Sequence, residues 1–369
     1  MQLRGRKQAV TAGGAVIAVA LLAACSSSST TSSTTPSSGS STSPSTATSA
    51  PSASGTLNAA GSTFQTNFQQ GAIAAFKSAD PNVTVNYDGV GSGAGRQDLY
   101  GNTVLFAGSD SPVPAKEQSS LKGKSILYFP VQIGPISMAY NLSGVTGLKL
   151  NATVLAGIFQ GTITTWNDPA IKALNPSANL PGEKITLAVR SDSSGTTQNF
   201  SQYLVTAAGS AWKLGTSSTI TWPSTAHAGK GGGAVAQIVK STAGSIGYVD
   251  YSTATASGLS SASILNSAGD YVAPSSASAT AAATHVTPAT NLTFTTVDEP
   301  GATSYPITYQ SWDIVYTQQP NANDVALLKA YLGYLLSPTG QALLTQLNLA
   351  PLPSSIDSAA TAQLSQITS

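Results

Sequence analysis

An α/β fold is the class this sequence predicts, and three observations carry it. Apolar runs of strand length, such as VTVNY, VLFAG and ITLAV, alternate with amphipathic segments along the chain. Phe64, Phe68, Ala72 and Phe76 recur at every fourth position, which is the stripe of a helix lying on a core. No longer period repeats, so the 369 residues make one large domain or two of ordinary size rather than a solenoid.

Taken in order, the apolar stripe predicts a helix from about Thr63 to Ala79, followed by a strand at VTVNY. GVGSGAG, Gly89 to Gly95, is expected to be a loop running into a helical stretch from Gln97 to Tyr100. VLFAGSDSPV predicts a short buried strand that ends at Ser109-Asp110 and is stopped by Pro112. SILYFPVQIGPISMAYNL predicts a pair of strands, and a helix is expected from about Asn151 to Phe159. ITLAV, Ile185 to Val189, is a continuous apolar strand that delivers Arg190. Phe200, Tyr203, Leu204, Ala207 and Ala208 then fall at helical spacing, with Gly209 placed to close the helix. Helices near Gly233–Lys240 and Asp324–Leu336, and strands at SIGYVDYS and SWDIVYTQ, complete the pattern.

The N-terminus joins Arg4, Arg6 and Lys7 to an apolar run from Ala9 to Ala24 and then to Leu22-Ala23-Ala24-Cys25. This predicts a signal peptide over residues 1–24 ending in a lipobox, with Cys25 the lipidated first residue of the mature chain. An uncleaved membrane anchor is the alternative, disfavoured because the apolar run is short for a span. Residues 25–56 are then a lipidated cysteine and a disordered tether of Ser, Thr, Pro, Gly and Ala, which offers no apolar face to bury. Globular structure is expected from about Leu57. Cys25 is the only cysteine, so disulfides and thiolate metal sites are excluded, and two histidines poorly support a His-rich metal site.

Charged residues make up only 8% of the chain, so solubility rests on uncharged polar side chains. The formal charge is +1, and without the three basic residues of the leader 13 basic residues face 15 acidic ones. No basic field remains to release counterions from nucleic acid, and a nucleic-acid partner is excluded on that ground.

The densest chemistry lies in RSDSSGTTQNF, Arg190 to Phe200. A strand, a polar turn and a helix start follow one another here. The turn Ser194-Gly195-Thr196 would present unpaired N–H groups at the positive end of a helix. Arg190 adds a planar fork that fits two oxygens of a phosphate or carboxylate, and Asp192 is suited to orient that fork. An ordinary helix cap beside a surface ion pair would look the same on this segment alone. AGSTF and GVGSGAG are two more turns of small residues opening helices.

The order AGSTF, VNYDGVGSGAG, FAGSDSPV, GTITTWND, VRSDSSGT, GSIGYVDY and YPIT resembles the phosphate-binding component of bacterial Pst-type ABC importers, over nearly all of the chain after the tether. That resemblance implies a two-lobed, periplasmic-binding-protein-like fold of type II, with a ligand cleft between lobes joined by two hinge crossings. The crossings are expected near Asn141 and near Tyr305-Pro306, giving residues 57–141 plus 306–369 to the first lobe and 142–305 to the second. It implies a phosphate site made of Thr63, Phe64, Ser92, Asp110, Arg190, Ser194, Gly195 and Thr196, with Asp192 behind Arg190 and with Gly61 and Ser62 shaping the first turn. The partners it implies are inorganic phosphate and the permease subunits of a Pst-type importer, with membrane attachment through Cys25 alone and no cofactor or metal. The chain departs from the family at Leu105, where aspartate is frequent, and at Ser62.

An ionised Asp110 beside an anion makes sense if the anion carries a proton. Phosphate near neutral pH has an O–H to donate and sulfate has none, so sulfate would set two acceptors against each other. The rivals are a receptor for another oxyanion such as sulfate or molybdate, a secreted phosphatase or serine hydrolase, and a purely structural surface lipoprotein. No G-x-S-x-G elbow occurs, since Val90 and Ala94 flank Ser92 where glycines are needed. AGKGGG, Ala228 to Gly233, lacks the Ser or Thr after lysine and the earlier glycine of a P-loop.

Overall fold

The computed structural model describes residues 53–369. The expected signal peptide, Cys25 and most of the expected tether lie outside these residues. The first half of the described chain runs β1 (Gly55–Gly61), α1 (Thr66–Ala79), β2 (Val83–Gly89), α2 (Ser92–Tyr100), β3 (Phe106–Ser109), β4 (Ile126–Asn141), β5 (Lys149–Leu150), α3 (Ala152–Gln160) and α4 (Pro169–Leu174). There follow β6 (Thr186–Arg190), α5 (Gly195–Tyr203), β7 (His227–Gly229), α6 (Gly231–Ser241), β8 (Ser245–Asp250), α7 (Tyr251–Ala256), β9 (Ser260–Ser261), β10 (Ser263–Leu265), β11 (Tyr271–Val272), α8 (Ser276–Ala283), β12 (Thr308–Tyr316), α9 (Ala322–Leu336), α10 (Pro338–Gln346) and α11 (Ser354–Gln363).

The strands join in the order β2-β1-β3-β12-β4-β8-β6-β7, with β9 also on β4 and a small separate sheet β11-β10-β5. β1, β2 and β3 run parallel, as do β6, β7 and β8. The two parallel groups are bridged by antiparallel β12 and β4.

The expected strand pair over SILYFPVQIGPISMAYNL is instead one 16-residue strand, β4, nearly all of it buried. No turn interrupts it because its prolines fall where no ladder N–H is required. Pro130 sits at a bulge, where the register against β12 slips between Ser311 and Trp312, and Pro135 is the last residue to pair with β12. From Ile136 onward β4 pairs with β8. The change of partner thus falls at Pro135–Ile136, inside the strand, rather than near its end at Asn141. Tyr305 and Ile307 lie beside that point: the Tyr305 hydroxyl donates to Ile136 O at 2.8 Å, and Ile136 N donates to Ile307 O at 2.7 Å.

β1 starts at Gly55, with Ala53 already buried, so ordered structure begins ahead of Leu57. Apart from Thr56, GTLNAAG has none of the β-branched or aromatic residues that mark strands, and it holds its place by backbone pairing with β2 and β3 on either side. The stripe of α1 packs as expected: Phe68 and Ala72 are fully buried and Phe76 is 4% exposed. Each buried phenylalanine is worth about 1.5–3 kcal/mol relative to an exposed one. The helix begins at Thr66, three residues later than the stripe suggests, because Ser62–Gln65 form a turn. Ser194 and Asn151 cap α5 and α3 with side-chain oxygens that accept from Thr197 N at 3.2 Å and Val154 N at 2.8 Å. α5 gives way at Leu204 to a wider π turn that ends at Gly209, whose φ is 53°.

GVGSGAG is not a loop throughout, since α2 starts at Ser92 and takes in Gly93 and Gly95. A side chain at Gly93 would run into Ser193, and Gly93 N donates to Ser193 O at 3.0 Å. The helix tolerates glycine there because another backbone passes against it.

Candidate anion-binding site

Every parallel strand of both groups ends, at its carboxyl side, in a turn that enters the same crevice. β1 ends at Gly61 before the turn to α1, β2 at Gly89 before α2, and β3 at Ser109 before Asp110. From the other side, β6 ends at Arg190 before α5, β7 at Gly229 before α6, and β8 at Asp250 before α7. In α/β sheets this is where ligands bind, because helix N-termini and polar turns collect there.

Asp110 lies at the centre and is 1% exposed. Ser62 Oγ donates to its Oδ2 at 2.7 Å, Ser92 Oγ to the same oxygen at 3.3 Å, and Ser311 Oγ to Oδ1 at 2.6 Å. Burial pushes the carboxyl up to about 6, and the three hydroxyls together with the charge of Arg190 keep it from rising further. Ser62 Oγ also accepts from Phe64 N at 3.1 Å, which folds the first turn over Asp110.

The N-terminus of α5 arrives from the opposite side. A Cβ on Gly195 would come within 2.5 Å of Asp110 Cβ and Oδ2 and within 2.6 Å of Ser92 Oγ. Only glycine permits that approach. Asn199, one turn further along α5, donates to Asp110 O at 2.7 Å. Thr63 Oγ1 accepts from Gly232 N at 3.3 Å, so a second helix start, that of α6, also reaches across.

Arg190 is buried, and its fork is held from behind. Nε donates to Asp192 Oδ1 at 2.7 Å, and Nη2 pairs with Oδ2 at 2.5 Å. Gly231 N donates to Asp192 Oδ1 at 3.1 Å. Burial alone would raise the Asp192 carboxyl, but the hydrogen bonds and charge of Arg190 outweigh it and hold the carboxyl below the usual range. Burial likewise opposes the charge on Arg190, and Asp192 more than offsets it. The remaining terminal nitrogen, Nη1, points toward Thr196 Oγ1 at 3.4 Å, a long contact for a guanidinium.

The chain matches the model of the PBP superfamily domain over residues 46–339. It is 37% identical over 315 residues to phosphate-binding protein PstS 3 of Mycobacterium leprae, covering 82% of this chain and 84% of that one. The chain belongs to the PstS family. Phosphate-binding protein PstS 2 of Mycobacterium tuberculosis is 35% identical over 325 residues, covering 84% and 87%. Solved structures share the fold. A high-affinity periplasmic phosphate-binding protein, PfluDING, bound with phosphate, superposes with a TM-score of 0.71 at 21% identity over 84% of this chain and 94% of that one. A phosphate-binding protein from Stenotrophomonas maltophilia gives a TM-score of 0.69 at 19% identity, over 84% and 93%. The two-lobed periplasmic-binding-protein-like fold is the architecture of this PstS-family chain.

The eight residues singled out for the site lie at the strand ends and helix starts that meet here, and Asp192 pairs with Arg190. Two have their groups partly engaged locally: the Ser194 hydroxyl caps its own helix and Phe64 N bonds Ser62. The sequence reading of this PstS-family chain missed Ser311, Asp250 and the donors Gly231 and Gly232. Asp250 is 3% exposed, caps α7 through Thr253 N at 2.8 Å, and is pushed up by burial. Ser311 carries no local signal, since a serine inside a strand is ordinary. The glycines of AGKGGG, which do not complete a P-loop, face Thr63 and Asp192.

Proposed function

We propose that this chain is an extracytoplasmic receptor that binds inorganic phosphate in the crevice and delivers it to the permease subunits of a Pst-type ABC importer. The observation that carries the reading is the pairing, in one buried crevice, of an acceptor with a lone cation. Asp110 receives hydroxyls on both oxygens, and Arg190 is held in place by Asp192 with one nitrogen left toward Thr196. The names of its relatives and the phosphate in the related structures support the same ligand.

In this reading phosphate takes donors from Thr63, Phe64 and the backbone N–H of Ser92 on one lobe, the Ser92 hydroxyl being engaged with Asp110, and from Arg190, Ser194, Gly195 and Thr196 on the other. The first lobe is built on β1–β3, β12 and the start of β4, the second on the rest of β4 with β6–β8. A ligand that touches both favours their closure. Asp110, with three hydroxyls already on its carboxylate, has about one acceptor position left of the roughly four such a group offers. That position accepts the proton of phosphate. Sulfate would bring a second acceptor and no proton, at a cost of about 1–3 kcal/mol or more for buried unmatched groups.

Attachment to the membrane is assigned to an acylated Cys25 after removal of residues 1–24. Among the described residues no helix is long and apolar enough to cross a membrane.

Isothermal titration of the purified chain at pH 7 tests the function. Phosphate is expected to bind and sulfate to give no comparable heat. Equal affinities would remove the role given to Asp110, and binding of neither anion would overturn the receptor.

A further inference from the structure

Tyr309 on β12 is fully buried, yet its hydroxyl has no hydrogen-bond partner among the described residues. A buried O–H left unpaired costs free energy, so such groups persist where a ligand or a function uses them. The ring is fixed on Phe64, stacked at a centroid distance of 4.0 Å and an angle of 24°. Phe64 is itself part of the first turn of the crevice. The Thr196 hydroxyl, at the start of α5, is a hydrogen-bonding neighbour that stops short of bonding geometry, and the charges of Asp250, Asp110 and Arg190 also act on the Tyr309 hydroxyl, which sets it beside the Asp110 and Arg190 groups of the crevice. Desolvation lifts its pKa well above the usual phenol value, so the group stays a neutral O–H at any physiological pH.

We infer that the Tyr309 hydroxyl donates a hydrogen bond directly to an oxygen of the bound anion, as a further ligand-contacting residue beside the eight assigned above. The inference rests on the phosphate-receptor reading. The stack on Phe64 means that ligand-contacting backbone and hydroxyl donor are positioned by one aromatic pair. A phenol donor asks only for an acceptor oxygen, so it supports phosphate and arsenate alike. Asp110 asks for a proton on the ligand, so selection against sulfate stays with Asp110.

Tyr309→Phe in the full chain removes the oxygen and keeps the ring. Titration with phosphate and arsenate is expected to show both weakened about tenfold or more, by similar factors, as for a hydrogen bond lost to a charged group. Thermal unfolding without ligand is expected at the parent temperature or above it, because an orphaned hydroxyl has been removed. A structural role would behave in the opposite way, lowering the unfolding temperature and leaving affinity unchanged. Phosphate affinity within about twofold of the parent overturns the inference. A parent chain that binds no phosphate overturns the receptor reading instead. Should the variant not fold, a crystal structure of the parent with phosphate decides: a Tyr309 oxygen within about 3.2 Å of a ligand oxygen is expected. A gap beyond about 4 Å, or a water between them, overturns it.

Discussion

Asp110 and Asp313 stand close together in the same half of the molecule, and both are buried, at 1% and 0% exposed. Asp313 lies on β12 opposite Gly108, two residues before Asp110 in the chain. Their surroundings differ. Asp110 takes three hydroxyls and lies near Arg190, and its carboxyl is pushed by burial only to about 6. Asp313 has only neutral amides beside it, Gln65 and Gln69, the latter donating at 3.3 Å, and leaves Oδ1 without a partner among the described residues. Burial pushes it to about 8. At neutral pH the first is ionised and the second protonated. Burial alone therefore does not make an anion acceptor; donors and a nearby cation must keep the charge affordable.

The two regions are also wired together. Gln69 donates to Gln65 Oε1 at 2.9 Å, Gln65 to Ser311 Oγ at 2.8 Å, and Ser311 to Asp110 at 2.6 Å. Ser311 accepts the Gln65 amide and turns its own proton to Asp110 Oδ1 at 2.6 Å, with Ser109 O a longer alternative acceptor at 3.3 Å.

The largest expected effect comes from removing the cation that sets Asp110 apart. Arg190→Ala should weaken phosphate about a hundredfold or more, since charge-assisted contacts are the strong ones and the variant also leaves Asp192 without its cation. A titration showing parent-like affinity would place the ligand elsewhere. Asp110→Asn should act next, on selectivity: the amide can donate to a fully deprotonated anion, so the preference for phosphate over sulfate should fall by about tenfold or more. Competition between the two anions measures this, and an unchanged ratio would mean that another group reads the proton.

Asp313→Asn should have the smallest effect on binding, leaving phosphate affinity within about twofold. Its effect belongs to stability. The carboxyl holds its proton up to about 8 when folded and loses it near 3.8 when unfolded. Between these values the folded state binds the extra proton, so this group's contribution is full at low pH and is lost as pH rises through the window. The variant's unfolding temperature, followed from pH 5 to 8, should decline less than the parent's. An identical pH profile would show that Asp313 is ionised in the folded protein.

Much of the fold was legible because periodicity reports directly on burial. The stripe of α1, the strand that ends at Arg190 and the cap at Ser194 all came from local pattern. β1 was not legible, because its alanines and glycines are held by neighbours on both sides rather than by propensity. β4 was misread because Gly134 and Pro135 look like a turn, whereas they mark the point at which one strand changes partners. For the site, the turn residues could be found and their mutual contacts could not. Ser311, Tyr309 and Asp250 come from strands and strand ends whose sequence says only that they are buried.

By itself, then, the order of residues determined the α/β alternation, the helix starts rich in small residues and the arginine with its aspartate two positions on, since each is settled by interactions within a few residues. Tertiary structure alone decided that a carboxylate would sit among three hydroxyls and under the N-terminus of α5, as the close approach of Gly195 requires. Hydrogen bonds and desolvation act between groups close in space, and the groups that tune Asp110 are up to 201 residues away along the chain.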